Sequence, residues 1–165
     1  MSVKFGLPPI ADRSTRLFIL GSLPGDESLR QRRYYAHPTN QFWKLVGSVV
    51  GEDLHGLDYD DRLAVLREHG IGLWDVVSAA RREGSGDQAI RDARHNDIGG
   101  LKRDYPELRA IAFNGGRAAK DGLRLLSGIE GLALRALPSS SAAYATMPLA
   151  EKAARWAVLR QFLQP

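Results

Sequence analysis

The stretch from Phe18 to Trp43 gathers most of the side chains in this chain that could act on a substrate. A short apolar run breaks at Gly21-Ser22-Leu23-Pro24-Gly25, a turn-rich segment. Asp26, Glu27, Arg30, Arg32, Arg33, Tyr34, Tyr35, His37 and Asn40 follow before an aromatic pair, Phe42-Trp43. Asn40 has the most interesting chemistry. A carboxamide takes no proton near neutral pH, so it is no general base. It can still orient a water and stabilise developing charge. That suffices where a bond breaks by a largely dissociative route, as in glycosidic cleavage of a nucleoside. A helix N-cap also takes asparagine, and on spacing alone that is the simpler reading. Ser139, Ser140 and Ser141 form a second cluster. They lack the G-x-S-x-G elbow and any obvious His–Asp partner, so the run reads as an anion-binding turn or a helix cap.

Several chemistries are excluded. The chain has no cysteine, which removes disulfides, thiolate nucleophiles, thiolate zinc sites and cysteine-ligated iron–sulfur clusters. His37, His55, His69 and His95 lack metal-ligand spacing, so no metal site is expected. There is no P-loop, and Gly21-x-x-x-Gly25 is not a dinucleotide fingerprint. No apolar run approaches the roughly 20 residues that span a bilayer, and the first ten residues carry no signal-peptide core. A cytoplasmic protein is expected. The net charge of +4 suits a polyanionic partner but does not by itself identify one.

The 165 residues suffice for one domain with a sizeable core. Residues 1–14 read as a surface arm, extended at Pro8-Pro9. Strands are expected over 16–20, 71–77, 108–113 and 132–137. Helices are expected over 40–50, 60–69, 87–94, 96–105, 117–126 and from Pro148 onward. Residues 21–39 and 81–86 read as loops. The class is therefore α/β with a four-stranded, mainly parallel sheet. Three of the four strands lead into polar loops, 21–26, 114–116 and 138–141. Loops after parallel strands share one sheet edge, which predicts a single composite site there.

The motifs along this frame resemble a family. Gly21-Ser22-Leu23-Pro24-Gly25 with Tyr34-Tyr35-Ala36-His37-Pro38-Thr39-Asn40-Gln41-Phe42-Trp43 is similar to the first motif of the uracil-DNA glycosylase superfamily. Within it, the hypoxanthine-DNA (deoxyinosine) glycosylase family is the nearest match, and the mismatch-specific uracil glycosylases are cousins. Leu73-Trp74-Asp75-Val76, Asn96-Asp97-Ile98, Phe113-Asn114-Gly115 and Leu137-Pro138-Ser139-Ser140-Ser141 follow in the expected order. The resemblance implies a three-layer αβα sandwich. It implies a monofunctional enzyme, needing no cofactor, that flips a deaminated base from DNA and hydrolyses its N-glycosidic bond.

Roles carry over residue by residue. Many branches place a water-handling Asp or Asn third in the first motif; here that position is Leu23, which cannot serve. The resemblance implies Asn40 instead. Tyr35 matches the aromatic that stacks on the flipped base. The backbone of Gly21, Ser22, Leu23, Pro24 and Gly25 bounds the pocket. Asn114 sits where relatives read the base edge. Ser139, Ser140 and Ser141 match a loop that grips phosphates, with Tyr144 a candidate wedge into the duplex. Arg30, Arg32 and Arg33 could contact phosphate, and Asp26, Glu27 or His37 could assist. Hypoxanthine is the first choice of base, then uracil, then xanthine. The expected partner is DNA holding such a base, bound by a monomer associated with a bacterial-type nucleoid. The departure at Leu23 keeps a non-catalytic damaged-DNA binder as the alternative. A small-molecule hydrolase using Ser139, Ser140 or Ser141 is a third reading.

Overall fold

The computed structural model describes residues 2–165. Its centre is a four-stranded sheet in the order β3-β2-β6-β7, made of β2 (Leu17–Gly21), β3 (Ile71–Asp75), β6 (Ala110–Asn114) and β7 (Ala133–Leu137). Every pairing in it is parallel. β2 and β6 are buried along their whole length, because central parallel strands are covered on both faces.

The alternation of side chains along each strand makes two cores. Leu17, Ile19, Ala110 and Ala112 face one layer of helices: α2 (Phe42–Val50), α3 (Tyr59–Glu68) and α6 (Leu149–Trp156). The 3₁₀ turns over Ala157–Phe162 extend α6 and add Leu159 and Phe162 to this core. Phe18, Leu20, Ile111 and Phe113 face the other layer, where α4 (Leu101–Asp104) and α5 (Gly116–Leu125) lie. This is the expected αβα sandwich. α2 buries Phe42, Leu45, Val46 and Val49, the stripe legible in its sequence.

Four local expectations change. Residues 21–39 contain a helix, α1 (Asp26–Gln31), ended by Arg32 in the left-handed conformation. Residues 87–94 are not a helix: a 3₁₀ turn (Asp87–Ala89) leads into β5 (Arg91–His95). Residues 77–81 form a strand of their own, β4 (Val77–Arg81). The arm at the N-terminus is ordered, with Val3–Phe5 forming β1. These three make a second, antiparallel sheet, β1-β4-β5. β5, R-D-A-R-H, has no buried face, so nothing in its hydrophobic pattern marks a strand. β4 was hidden for the opposite reason. Only Val76 separates it from β3, so the apolar run continues from one sheet into the other.

Candidate active site

The strands β2, β3, β6 and β7 end at Gly21, Asp75, Asn114 and Leu137, and the loops that follow enclose a pocket of about 360 Å³. That volume suits a small molecule or one base. Residues 21–25, Tyr35, His37, Asn40, Asn114 and Ser139, Ser140 and Ser141 all line it. Positions as far apart as 21 and 141 thus meet at one sheet edge.

Hydrogen bonds join the three loops into one chain. Asn114 Nδ2 donates to Ser140 Oγ (2.9 Å), and Ser140 Oγ donates to Asn40 Oδ1 (2.8 Å). Ser140 N also donates to Asn114 Oδ1 (2.9 Å). Ser140 is buried, so its side chain is an interior strut between the loops. The backbone N–H of Phe42 donates to Asn40 Oδ1 (3.0 Å), so Asn40 does help start α2. Those two contacts fix the amide orientation. The oxygen is occupied from inside the protein, and the Nδ2 donors are the part left for the pocket. Asn114 is more constrained. Its oxygen is held by Ser140 N, and its nitrogen reaches Ser140 Oγ and, at 3.3 Å, the Tyr35 hydroxyl.

Tyr35 is held on several sides. Its ring stacks on Phe42 with centroids 3.7 Å apart and planes 7° from parallel. Trp43 Nε1 donates to its carbonyl (3.1 Å), anchoring a backbone with φ of +53°. One ring face is therefore covered by Phe42. Burial pushes the Tyr35 hydroxyl above its ordinary range, reinforced by the nearby Asp75. It stays a neutral donor and acceptor.

With this geometry in place, the comparisons with known proteins decide the family. The family model described as the uracil DNA glycosylase superfamily matches residues 8–162. The chain belongs to the uracil DNA glycosylase superfamily. Membership makes it a hydrolase of the N-glycosidic bond. It is 48% identical over 141 residues to a protein of Methanosarcina acetivorans named hypoxanthine DNA glycosylase, covering 86% of this chain and 88% of that one. A protein of Methanosarcina barkeri with the same name is 47% identical over 117 residues, covering 71% and 74%. A solution NMR structure of a candidate uracil DNA glycosylase from Methanosarcina acetivorans superposes with a TM-score of 0.87 at 43% identity, covering 99% of this chain and 100% of that one.

In this superfamily member Leu23 is a core residue. It is buried in a small cluster with Val77, Ala80 and Ile90, while its backbone borders the pocket. The apolar side chain at that position is used for packing. The 21–25 segment is held from below by Arg82, which is buried and donates to Leu23 O (3.2 Å), Pro24 O (2.7 Å) and Gly84 O (2.9 Å). Burial draws its guanidinium below the usual range, partly offset by Asp26 at 3.8 Å. Asp26 itself pairs with Lys4 (2.6 Å) and stands outside the pocket.

Of the remaining expected groups, Glu27 and His37 line the pocket, whereas Arg30, Arg32, Arg33 and Tyr144 do not. Arg30 is tied to Glu27, whose carboxyl is held down at about 2 by hydrogen bonds from Arg30 and Gln31. A carboxyl held so low is no proton donor. Arg33 lies over the Tyr59 ring (5.3 Å), and Arg32 is exposed at the end of α1. His37 Nδ1 is bonded to Thr39 Oγ1 (2.8 Å). Tyr144 is exposed, with its ring over the Lys152 ammonium (5.3 Å). Among the described residues no cluster of side chains could hold a metal ion, and no helix is long and apolar enough to cross a membrane.

Three residues escaped the sequence reading. Arg82 sits in what reads as a polar loop. Lys152 is buried in α6 and donates to Gln41 Oε1 (2.9 Å) and Ser141 O (3.2 Å), clamping the serine loop against the start of α2. Asp75 lines the pocket and is buried. Only Asp75 carried a signal: a lone carboxylate inside the apolar run of residues 71–77.

Proposed function

We propose that this chain is a monofunctional DNA glycosylase that removes hypoxanthine from DNA, with uracil and then xanthine as weaker substrates. The observation that carries the reading is the chain Asn114–Ser140–Asn40, which presents the Asn40 amide donors beside an aromatic ring in a pocket of base size. The choice of hypoxanthine is supported by the names of the two Methanosarcina relatives.

The positive charge lowers the free energy of DNA association and makes it salt-dependent. Extruding a nucleotide costs a few kcal/mol, less for a poorly paired base. The extruded base stacks on the ring of Tyr35, beside Asp75. The C1′–N bond breaks heterolytically, and its electron pair enters the base. Asn40 Nδ2 donates to a water oxygen and aims a lone pair at the cationic sugar. That water adds to C1′ and gives its proton to solvent, leaving an abasic site with the strand intact. Ser140 polarises the Asn40 amide, and Asn114 holds Ser140 and Tyr35 in place. Ser139, Ser141, Tyr144 and Arg32 meet the DNA around the opening. A monomer suffices for every step.

A panel of duplexes, each carrying one deaminated base, tests the reading through alkali-revealed abasic sites. Release from deoxyinosine ahead of deoxyuridine and deoxyxanthosine is expected. No release from any duplex overturns it. Asn40→Ala is expected to lower turnover at least about 100-fold, about 2.7 kcal/mol, with DNA binding retained. Near-normal turnover removes Asn40 from the mechanism.

A further inference from the structure

Asp75 is an anomaly in this pocket. It is 3% exposed, and its Oδ2 is the one buried side-chain polar atom without a hydrogen-bond partner among the described residues. Unpaired buried carboxylates are costly and call for an explanation. Its place supplies one. β3 and β2 end in register, so Asp75 lies directly beside Gly21. A Cβ at Gly21 would come within 2.6 Å of Asp75 Oδ1 and 3.1 Å of the Tyr35 hydroxyl. Both side chains therefore close over the same glycine, at the floor of the pocket. Only a residue without a side chain fits beneath them.

Deamination changes what a base shows at its edge. An amino group beside a bare ring nitrogen becomes a carbonyl beside a ring N–H. A protonated carboxyl carries the matching pair, one O–H donor and one acceptor. An ionised carboxylate offers acceptors alone and would face the carbonyl with like charge. Resting on the glycosylase reading above, we propose that Asp75 recognises the extruded base through its protonated carboxyl, donating to the base carbonyl and accepting from the adjacent ring N–H.

The same hydrogen bond serves the chemistry. As the C1′–N bond breaks, negative charge spreads onto the carbonyl oxygen, and the Asp75 O–H is already aimed there. The proton remains on Asp75, and the base leaves as its anion. A donor held ready in a water-poor site favours the transition state over the ground state.

The surroundings favour the neutral form of Asp75. Burial pushes its carboxyl up to about 7, Asp87 pushes the same way, and Arg82 opposes both. Tyr34 and Tyr35 are the other titratable groups that feel it, and both stay uncharged because burial raises their hydroxyls. Asp87 is itself held by the Ser22 hydroxyl on the pocket wall. The backbone carbonyl of Asp75 accepts from Asn96 Nδ2 (2.8 Å), which fixes the strand end.

Single-turnover release of hypoxanthine, measured from pH 5.5 to 9, tests the assignment. Wild-type rates are expected to fall about tenfold per pH unit above about 7. Asp75→Asn keeps a donor and an acceptor at every pH and is expected to abolish that alkaline limb. Asp75→Ala is expected to lower release at least tenfold throughout, and circular dichroism reports whether each variant is folded. A carbon-detected NMR titration of the Asp75 carboxyl in the free wild-type protein gives a reading independent of turnover and of the variants. Titration below about pH 5, or an unchanged alkaline limb in Asp75→Asn, overturns the assignment alone. Absence of release by the wild type overturns the glycosylase reading beneath it.

Discussion

Ser140 shows how one small side chain can set the function of two larger ones. Its hydroxyl accepts from Asn114 and donates to Asn40, so together with the Phe42 N–H it orients the Asn40 amide. Ser140→Ala deletes that bridge while the backbone N–H of residue 140 continues to hold Asn114 Oδ1. Turnover is expected to fall about 10- to 100-fold, about 1.4–2.7 kcal/mol of transition-state stabilisation, with the circular dichroism spectrum retained. A rate within threefold of wild type would show that Asn40 is oriented without Ser140. Asn40 itself illustrates a choice that spacing could not resolve. It is both a contact at the start of α2 and a pocket residue, because its two amide atoms face different ways.

Among the elements, the second sheet does work that its sequence conceals. β4 hands the chain to residues 81–86, where Arg82 turns back beneath the pocket loop. Three backbone carbonyls depend on that one guanidinium. Arg82→Met is expected to cost about 3 kcal/mol or more, because buried acceptors lose their donors. A lowered urea midpoint at unchanged m-value would report it, and a loss below about 1 kcal/mol would show that the 21–25 segment is held elsewhere. α6 plays the matching part on the other side, where Lys152 ties the serine loop to Gln41. The pocket loops are thus braced by one buried cation from each flank.

Taken as a whole molecule, the enzyme has an uneven distribution of charge around its pocket. Asp75 and Asp87 line the pocket, and Arg32 stands exposed at the end of α1. A duplex can lie against that surface while one neutral base enters. Association is expected to weaken with salt, with a log–log slope of about −0.9 per phosphate neutralised. Arg32→Ala is expected to reduce the steepness of that slope by about one unit in a fluorescence titration. An unchanged slope would remove Arg32 from the DNA contact surface.

The sequence by itself determined the central sheet, the helix α2 and the edge at which the site forms. Those features depend on local periodicity and on burial of whole strands, and both are written in consecutive residues such as Leu17–Gly21 and Phe42–Val50. It also carried the family resemblance, through Gly21-Ser22-Leu23-Pro24-Gly25 and the element around His37 and Asn40. Only the tertiary structure decided that both amide atoms of Asn114 are bonded to Ser140, that Asn40 Oδ1 is already taken, and that Asp75 Oδ2 is buried without a hydrogen-bond partner. Each of those properties is a sum over neighbours that are distant in the chain. Ser140 lies 100 residues from Asn40, and Asp75 lies beside Gly21 only because β3 pairs with β2. A hydrogen bond or a desolvated carboxyl belongs to the place where segments meet, and no single segment contains it.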